Sequence, residues 1–148
     1  MNVLALDVAT KTGWCLSPNE HGVWDLKTRR DESGGMKLIR FKAKLNEIHS
    51  LVKLDMVVFE RTSGRHKAAL IHQSELHGVL KNWCDENGIQ YRSYSASEIK
   101  KFATGNGRAS KALMMTTCKD RYSIVPIDDN EADAVHLWYL NQSSIFTA

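Results

Sequence analysis

Two short apolar runs, Val3-Leu4-Ala5-Leu6 and Met56-Val57-Val58-Phe59, each end on an acid, Asp7 and Glu60. Runs of this length and composition read as buried strands. A carboxylate at the end of a buried strand needs a partner, because charged side chains are almost never buried unpaired. A third acid, Asp133, lies near the start of a helical pattern in Asp128-Asp129-Asn130-Glu131-Ala132-Asp133-Ala134. Carboxylates gathered in one place repel unless a cation stands among them. Oxygen-only donors suit Mg²⁺, or Mn²⁺ as a substitute, and these are the metals of phosphoryl transfer. The pattern implies metal-dependent nuclease chemistry.

The remaining elements follow from periodicity. Residues 2–7 read as the first strand, Thr10 to Gly13 as a turn, Trp14-Cys15-Leu16 as the start of a second strand, and Val23 to Leu26 as its hairpin return. Leu38, Phe41, Leu45, Ile48 and Val52 recur at helical spacing over 36–52, and a strand over 55–60 follows. A second helix, 66–86, carries the stripe His72, Leu76, Val79, Leu80 and Trp83, and Asn87-Gly88 ends it. A strand over 89–94, a short helix at 98–103, a helix at 110–122 and a last helix at about 130–142 complete the chain. Asp128 and Glu131 have capping-box spacing for that last helix. The fold class is α/β: a five-stranded mixed sheet flanked by helices, in one domain spanning 1–148. In such sheets functional groups gather at the carboxyl ends of parallel strands, where Asp7 and Glu60 fall.

A net charge of +3 is mild, but its distribution is not even. Lys27 to Lys44 holds seven basic residues, Glu98 to Lys111 holds four, and acids gather in 128–133. A chain that separates its charges this way can surround an acidic pocket with a basic rim. Cys15, Cys84 and Cys118 are widely spaced with no zinc pattern, so they read as reduced thiols. The N-terminus is interrupted by charge too early for a signal peptide, and no apolar run approaches the length of a membrane span. A cytoplasmic protein is the expectation, in the host cytoplasm if the chain is phage-encoded.

Three stretches resemble the RuvC group of Holliday junction resolvases, within the ribonuclease H-like superfamily, and its compact phage-type members in particular. They are Leu4 to Trp14, with Asp7 at its centre; Lys100-Lys101-Phe102-Ala103-Thr104-Gly105-Asn106-Gly107-Arg108-Ala109-Ser110-Lys111; and Asn130-Glu131-Ala132-Asp133-Ala134. The resemblance implies a ribonuclease H-like fold and a Mg²⁺-dependent endonuclease acting on four-way junctions, flaps and other branched DNA in recombination and repair. It also implies a homodimer, for which the stripe Leu76, Val79, Leu80 and Trp83 is the candidate surface.

The resemblance assigns Asp7 to a bridging role between two ions, with Glu60 and Asp133 holding one each. The fourth ligand departs from the group's pattern. Asn130 stands where that group has Asp or His, and Asp129 shares a helix face with Asp133 at i, i+4; the two are rival candidates, with Glu131 pointing elsewhere. Lys100 and Lys111 match the group's DNA-contacting lysines. Gly105 and Gly107 allow close approach to phosphate, and Lys101, Arg108, Arg61, Arg65 and Lys67 extend the basic rim. Ser63 stands where bacterial members carry an aromatic wedge, so broad cleavage of branched DNA is expected over strict selectivity. The alternatives are a catalytically weak branched-DNA-binding accessory protein and a ribonuclease H-type hybrid nuclease. His72, His77, His136 and the four tryptophans read as core or interface groups.

Overall fold

A computed structural model describes residues 1–62 and 67–147. The chain runs β1 (Val3–Asp7), β2 (Lys11–Ser17), β3 (Glu20–Asp25), α1 (Gly35–Val52), β4 (Met56–Glu60), α2 (Lys67–Glu86), β5 (Gln90–Tyr94), α3 (Ala96–Thr104), α4 (Lys111–Tyr122) and α5 (Asp129–Thr147). The strands form one sheet in the order β3-β2-β1-β4-β5. β1, β2 and β3 pair antiparallel, whereas β1, β4 and β5 pair parallel. The order reverses direction at β1, which is the place where such a sheet leaves a crevice beyond its strand ends.

The sheet divides the core in two. Along β1, Val3 and Ala5 face one side and Leu4 and Leu6 the other. Along β4, Met56 and Val58 join the first side, and Val57 and Phe59 the second. Helices α3, α4 and α5 cover the first side through Ile99, Met114, Cys118 and Val135; α1 and α2 cover the second through Phe41, Leu45, Leu76, Leu80 and Trp83. A strand alternates its side chains with period two. The next odd position on β1 is Asp7 and the next even position on β4 is Glu60, so both belong to the face under α5. The β1–β4 register ends with Leu6 beside Phe59, and the pair that follows is Asp7 and Glu60.

Helix α5 lies almost on the backbone of β2. A Cβ at Gly13 would stand 1.9 Å from the Asn130 carbonyl oxygen, so no larger residue fits there. The Asn130 side chain reinforces this contact by donating from Nδ2 to the Lys11 carbonyl at 2.9 Å. At the far end of α5, Tyr94 donates its hydroxyl to Asn141 Oδ1 at 2.8 Å inside the core.

Three expectations are corrected. Lys11 to Gly13 belong to β2, and the turn is shorter than read: Thr12 Oγ1 donates to the Ala9 carbonyl at 2.6 Å and closes the loop within the strand entry. Of the stripe expected as a dimer surface, Leu76, Leu80 and Trp83 are buried in the core shared with α1, and Val79 alone is partly exposed. Periodicity identifies an apolar helix face without saying what covers it. Helix α5 extends five residues further than expected, to Thr147. Ser63, Arg65 and His66 lie outside the described residues. The three cysteines are free and buried, and burial raises the pKa of each thiol. Among the described residues no helix is long and apolar enough to cross a membrane.

The Gly13 contact gives a prediction. Gly13→Ala forces α5 away from β2, and overpacking of this kind costs about 1–3 kcal/mol. Urea denaturation of the variant is expected to show a lower midpoint with an unchanged slope.

Candidate active site

Asp7 ends a fully buried strand and is itself only 6% exposed. Burial is the main reason its pKa lies well above the ordinary carboxylate range; the charges of Glu60, Asp133 and Asp129 add to the effect. Asp133 is pushed up to about 7, again chiefly by burial, then by Glu60 and Asp129. Glu60 is raised by burial and opposed most by the charge of Lys100. Asp7 lies within hydrogen-bonding reach of both Glu60 and Asp133, and so occupies the middle of the group. Strand alternation supplies two of these acids and the docking of α5 the third.

The donor set fits a hard divalent cation. Its donors are carboxylate oxygens. Asp133 Oδ1 is buried and has no hydrogen-bond partner, which a side chain avoids unless something else occupies that direction. Among the described residues, no three His, Cys, Asp or Glu side chains already stand as a metal shell. Shared protons are what such acids adopt when repulsion is not offset by a cation.

The first turn of α5 sorts its acids by direction. Asp128 Oδ1 accepts the Glu131 N–H at 2.9 Å and caps the helix. Glu131 is buried; its Oε1 accepts the Ile127 N–H at 2.6 Å and its Oε2 meets His21 Nδ1 at 2.8 Å. It therefore ties the helix start to β3 and faces away from Asp133. Asp129 is half-buried, 3.7 Å from Lys111 Nζ, and its charge acts on Asp7, Glu60 and Asp133. Asn130, three residues before Asp133, is held to β2 by its amide nitrogen.

The basic residues divide into two groups. Lys100 is half-buried, and its charge acts on both Glu60 and Asp133, so it stands beside the acids themselves. Its position in the sequence marks a basic segment but not this proximity, which arises because α3 follows β5, the neighbour of β4. Lys101, Arg108 and Lys111 are exposed. Arg61 is also exposed and pairs with Glu98 at 3.0 Å. The glycines have local reasons: Gly105 caps α3 at φ +84°, donating to the Lys101 carbonyl, and a Cβ at Gly107 would meet Ser97 Oγ at 2.7 Å. Ser110 caps α4 by accepting the Leu113 N–H at 3.1 Å.

Neither buried histidine joins the acids. His136 is fully buried and bonds the Met114 carbonyl at 2.9 Å. His77 packs on Phe59, and burial lowers its pKa to about 4.

No family model matches the chain. Crossover junction endodeoxyribonuclease RuvC of Caldicellulosiruptor saccharolyticus is 27% identical over 146 residues, covering 91% of this chain and 88% of that protein. The protein of the same name from Rhodopirellula baltica is 26% identical over 140 residues, covering 91% and 77%. A solved structure of T. thermophilus RuvC in complex with Holliday junction substrate matches with a TM-score of 0.79 at 17% identity, over 99% of this chain and 96% of that one. The chain is RuvC-like. The crystal structure of a yeast mitochondrial Holliday junction resolvase shares the fold less closely, with a TM-score of 0.65 at 14% identity over 99% and 80% of the two chains. The five-stranded mixed sheet of this RuvC-like chain is the ribonuclease H-like fold that its sequence implied.

The raised carboxyls make stability depend on pH. Unfolded carboxyls titrate near 4, whereas Asp133 does so at about 7 in the folded chain. Between these values the folded chain holds more protons, so stability falls as pH rises. The buried His77 acts in the opposite sense below pH 6.5, so the test is the comparison with a variant: without divalent metal, Asp133→Asn is expected to raise the melting temperature more at pH 8 than at pH 5 in a calorimetric pH series.

Proposed function

We propose that this RuvC-like chain is a metal-dependent endonuclease that cleaves Holliday junctions and other branched DNA by hydrolysing a phosphodiester. The observation that carries this reading is the convergence of Asp7, Glu60 and Asp133 on one face of the sheet, with a buried Asp133 oxygen left without a protein partner. The relatives named for crossover junction cleavage, and the related fold solved on a Holliday junction, give the substrate class.

Asp7, Glu60 and Asp133 are assigned as ligands of Mg²⁺, with Mn²⁺ as a substitute. When bound, two such ions lower the pKa of a water and offset charge on the departing 3′-oxygen. Asp7 takes the central position, between the other two acids. Asp129 and Asn130 compete for the fourth position. The charge of Asp129 already acts on all three acids, which offsets the neutrality of Asn130 and supports the nuclease over the weak accessory reading. Lys100 stands where a cation can offset the charge of a phosphate drawn toward the acids. Lys101, Gly105, Gly107, Arg108, Lys111 and Arg61 form a rim for the phosphate backbone around the start of α4, whose free N–H groups favour an anion. Arg65 is assigned to the same rim from the sequence alone. A homodimer acting on the two-fold symmetry of a four-way junction is part of the proposal. Its surface is sought around the exposed Ile39, in the shallow groove with Leu38 and Val79, the one member of the α2 stripe that is not buried.

Labelled four-way, flap, linear and hybrid substrates incubated with Mg²⁺ test the reading directly. Four-way and flap substrates are expected to be cut; cleavage of hybrid alone would favour the ribonuclease H-type enzyme. Asp7→Asn and Glu60→Gln are each expected to reduce cleavage by on the order of 10³-fold or more, the scale felt when a charge partner of the transition state is lost. Gel shifts should show that DNA binding persists in both.

The fourth ligand is separable by metal titration. Asp129→Ala is expected to cripple Mg²⁺-dependent cleavage and raise the Mg²⁺ concentration it needs if Asp129 serves. Asn130→Asp is expected to keep or raise activity at low Mg²⁺ if position 130 serves.

A further inference from the structure

The basic segment Lys27 to Lys44 plays no part in the site described so far. Its first part folds into a concave pocket of about 710 Å³, lined by Asp25, Lys27, Thr28, Arg29, Arg30 and Arg40. The loop is built, not slack. Asp25 Oδ1 accepts the Lys27 N–H at 3.0 Å. Glu32 anchors the turn: its Oε1 accepts the Arg29 N–H at 2.6 Å and its Oε2 pairs with Arg40. Arg40 in turn donates to the Lys27 carbonyl at 3.3 Å. The hydrogen bond from Arg40 holds Glu32 below the ordinary carboxylate range. Asp25 and Glu32 are thus engaged by the loop itself, while a third acid, Asp31, stands exposed beside Arg30. Lys27, Arg29 and Arg30 are exposed, and among the described residues none of the three makes a salt bridge. Three cations presented by an ordered loop raise the local positive potential and attract an anion.

Position identifies the anion. Asp25 pairs with Lys11 across β2, and the Leu26 N–H donates to the Thr10 carbonyl at 2.8 Å, so the pocket adjoins the turn that follows Asp7. Asp7 is opposite Gly13 on β2, and β3 lies one strand further out. Two strand spacings and two residue rises put the pocket floor roughly 12 Å from Asp7. The Lys100–Lys111 rim lies on the other side, because α3 follows β5 at the opposite edge of the sheet. The acids are therefore flanked by cations from both edges.

We propose that Lys27, Arg29 and Arg30 form a second phosphate clamp, which holds the DNA backbone on the β3 side of the cleaved bond. This rests on the nuclease reading above. A span of roughly 12 Å corresponds to about three or four nucleotides along one strand. Guanidinium groups suit this task, since their planar fork matches phosphate oxygens.

Fluorescence anisotropy of a labelled four-way junction, titrated over salt in EDTA to prevent cleavage, tests the clamp. Each phosphate contact contributes about 0.9 to the salt slope. The triple variant Lys27→Ala/Arg29→Ala/Arg30→Ala is expected to lower the slope by about two to three units. Arg29→Lys/Arg30→Lys keeps the charge and is expected to keep most of the slope, which separates lost contacts from a damaged fold. Lys44→Ala/Lys81→Ala removes charge from α1 and α2 and is expected to leave the slope as it was. Ethylation interference should show that the triple variant loses sensitivity at phosphates a few nucleotides to one side of the cut. An unchanged slope in the triple variant, or interference unchanged at every phosphate, overturns the clamp. If the unaltered protein neither binds nor cuts branched DNA, the nuclease reading fails instead.

Discussion

The repulsion among Asp7, Glu60, Asp133 and Asp129 is the interaction on which the rest of the molecule depends. Free carboxylates would move apart. Here they cannot, because Asp7 ends a strand buried on both faces, Glu60 ends its parallel neighbour, and the other two ride on a helix pressed onto β2. The fold invests packing energy in holding like charges together, and burial, reinforced by their mutual repulsion, raises the pKa of Asp7 and Asp133. A site held this way is preorganised for cation and phosphate, since its acids do not have to be gathered when the ligand arrives.

Much of this was legible in the residues. An apolar run ending in an acid names a strand and its end, so β1 and β4, with Asp7 and Glu60 at their carboxyl ends, were readable directly. The Asp128–Glu131 spacing located the start of α5, and the structure returns it as a working cap with Glu131 turned toward His21. What was not legible depends on contacts between elements distant in sequence. The α2 stripe is apolar whether α1 or a second chain covers it, and α1 covers it. Lys100 reads as one more cation in a basic segment until the order β1-β4-β5 brings α3 next to Glu60. Gly13 looks like a turn glycine and is in fact the place where a helix meets a strand backbone.

The two basic surfaces differ in how they are held. Lys111 stands 3.7 Å from Asp129, whose charge acts on Asp7, Glu60 and Asp133, so its own charge bears on the acid cluster. The 26–34 loop is stabilised by its own Glu32 and Arg40, without drawing on the site acids. One basic surface is thus coupled to the acid cluster and the other is independent of it. In a nuclease this separates grip on the substrate from the charge state of the centre.

The contact between Asn130 and Lys11 joins residues 119 apart in sequence. Asp7 and Glu60 are made early, whereas Asp133 comes only with the final helix. As the chain leaves the ribosome, the sheet can begin to form, but its centre lacks the acid that α5 carries and the long-range closure that brings it in is slow. A chain in which α5 has not yet docked therefore holds Asp7 and Glu60 without the third acid, and the cluster is complete only once that helix lies on β2.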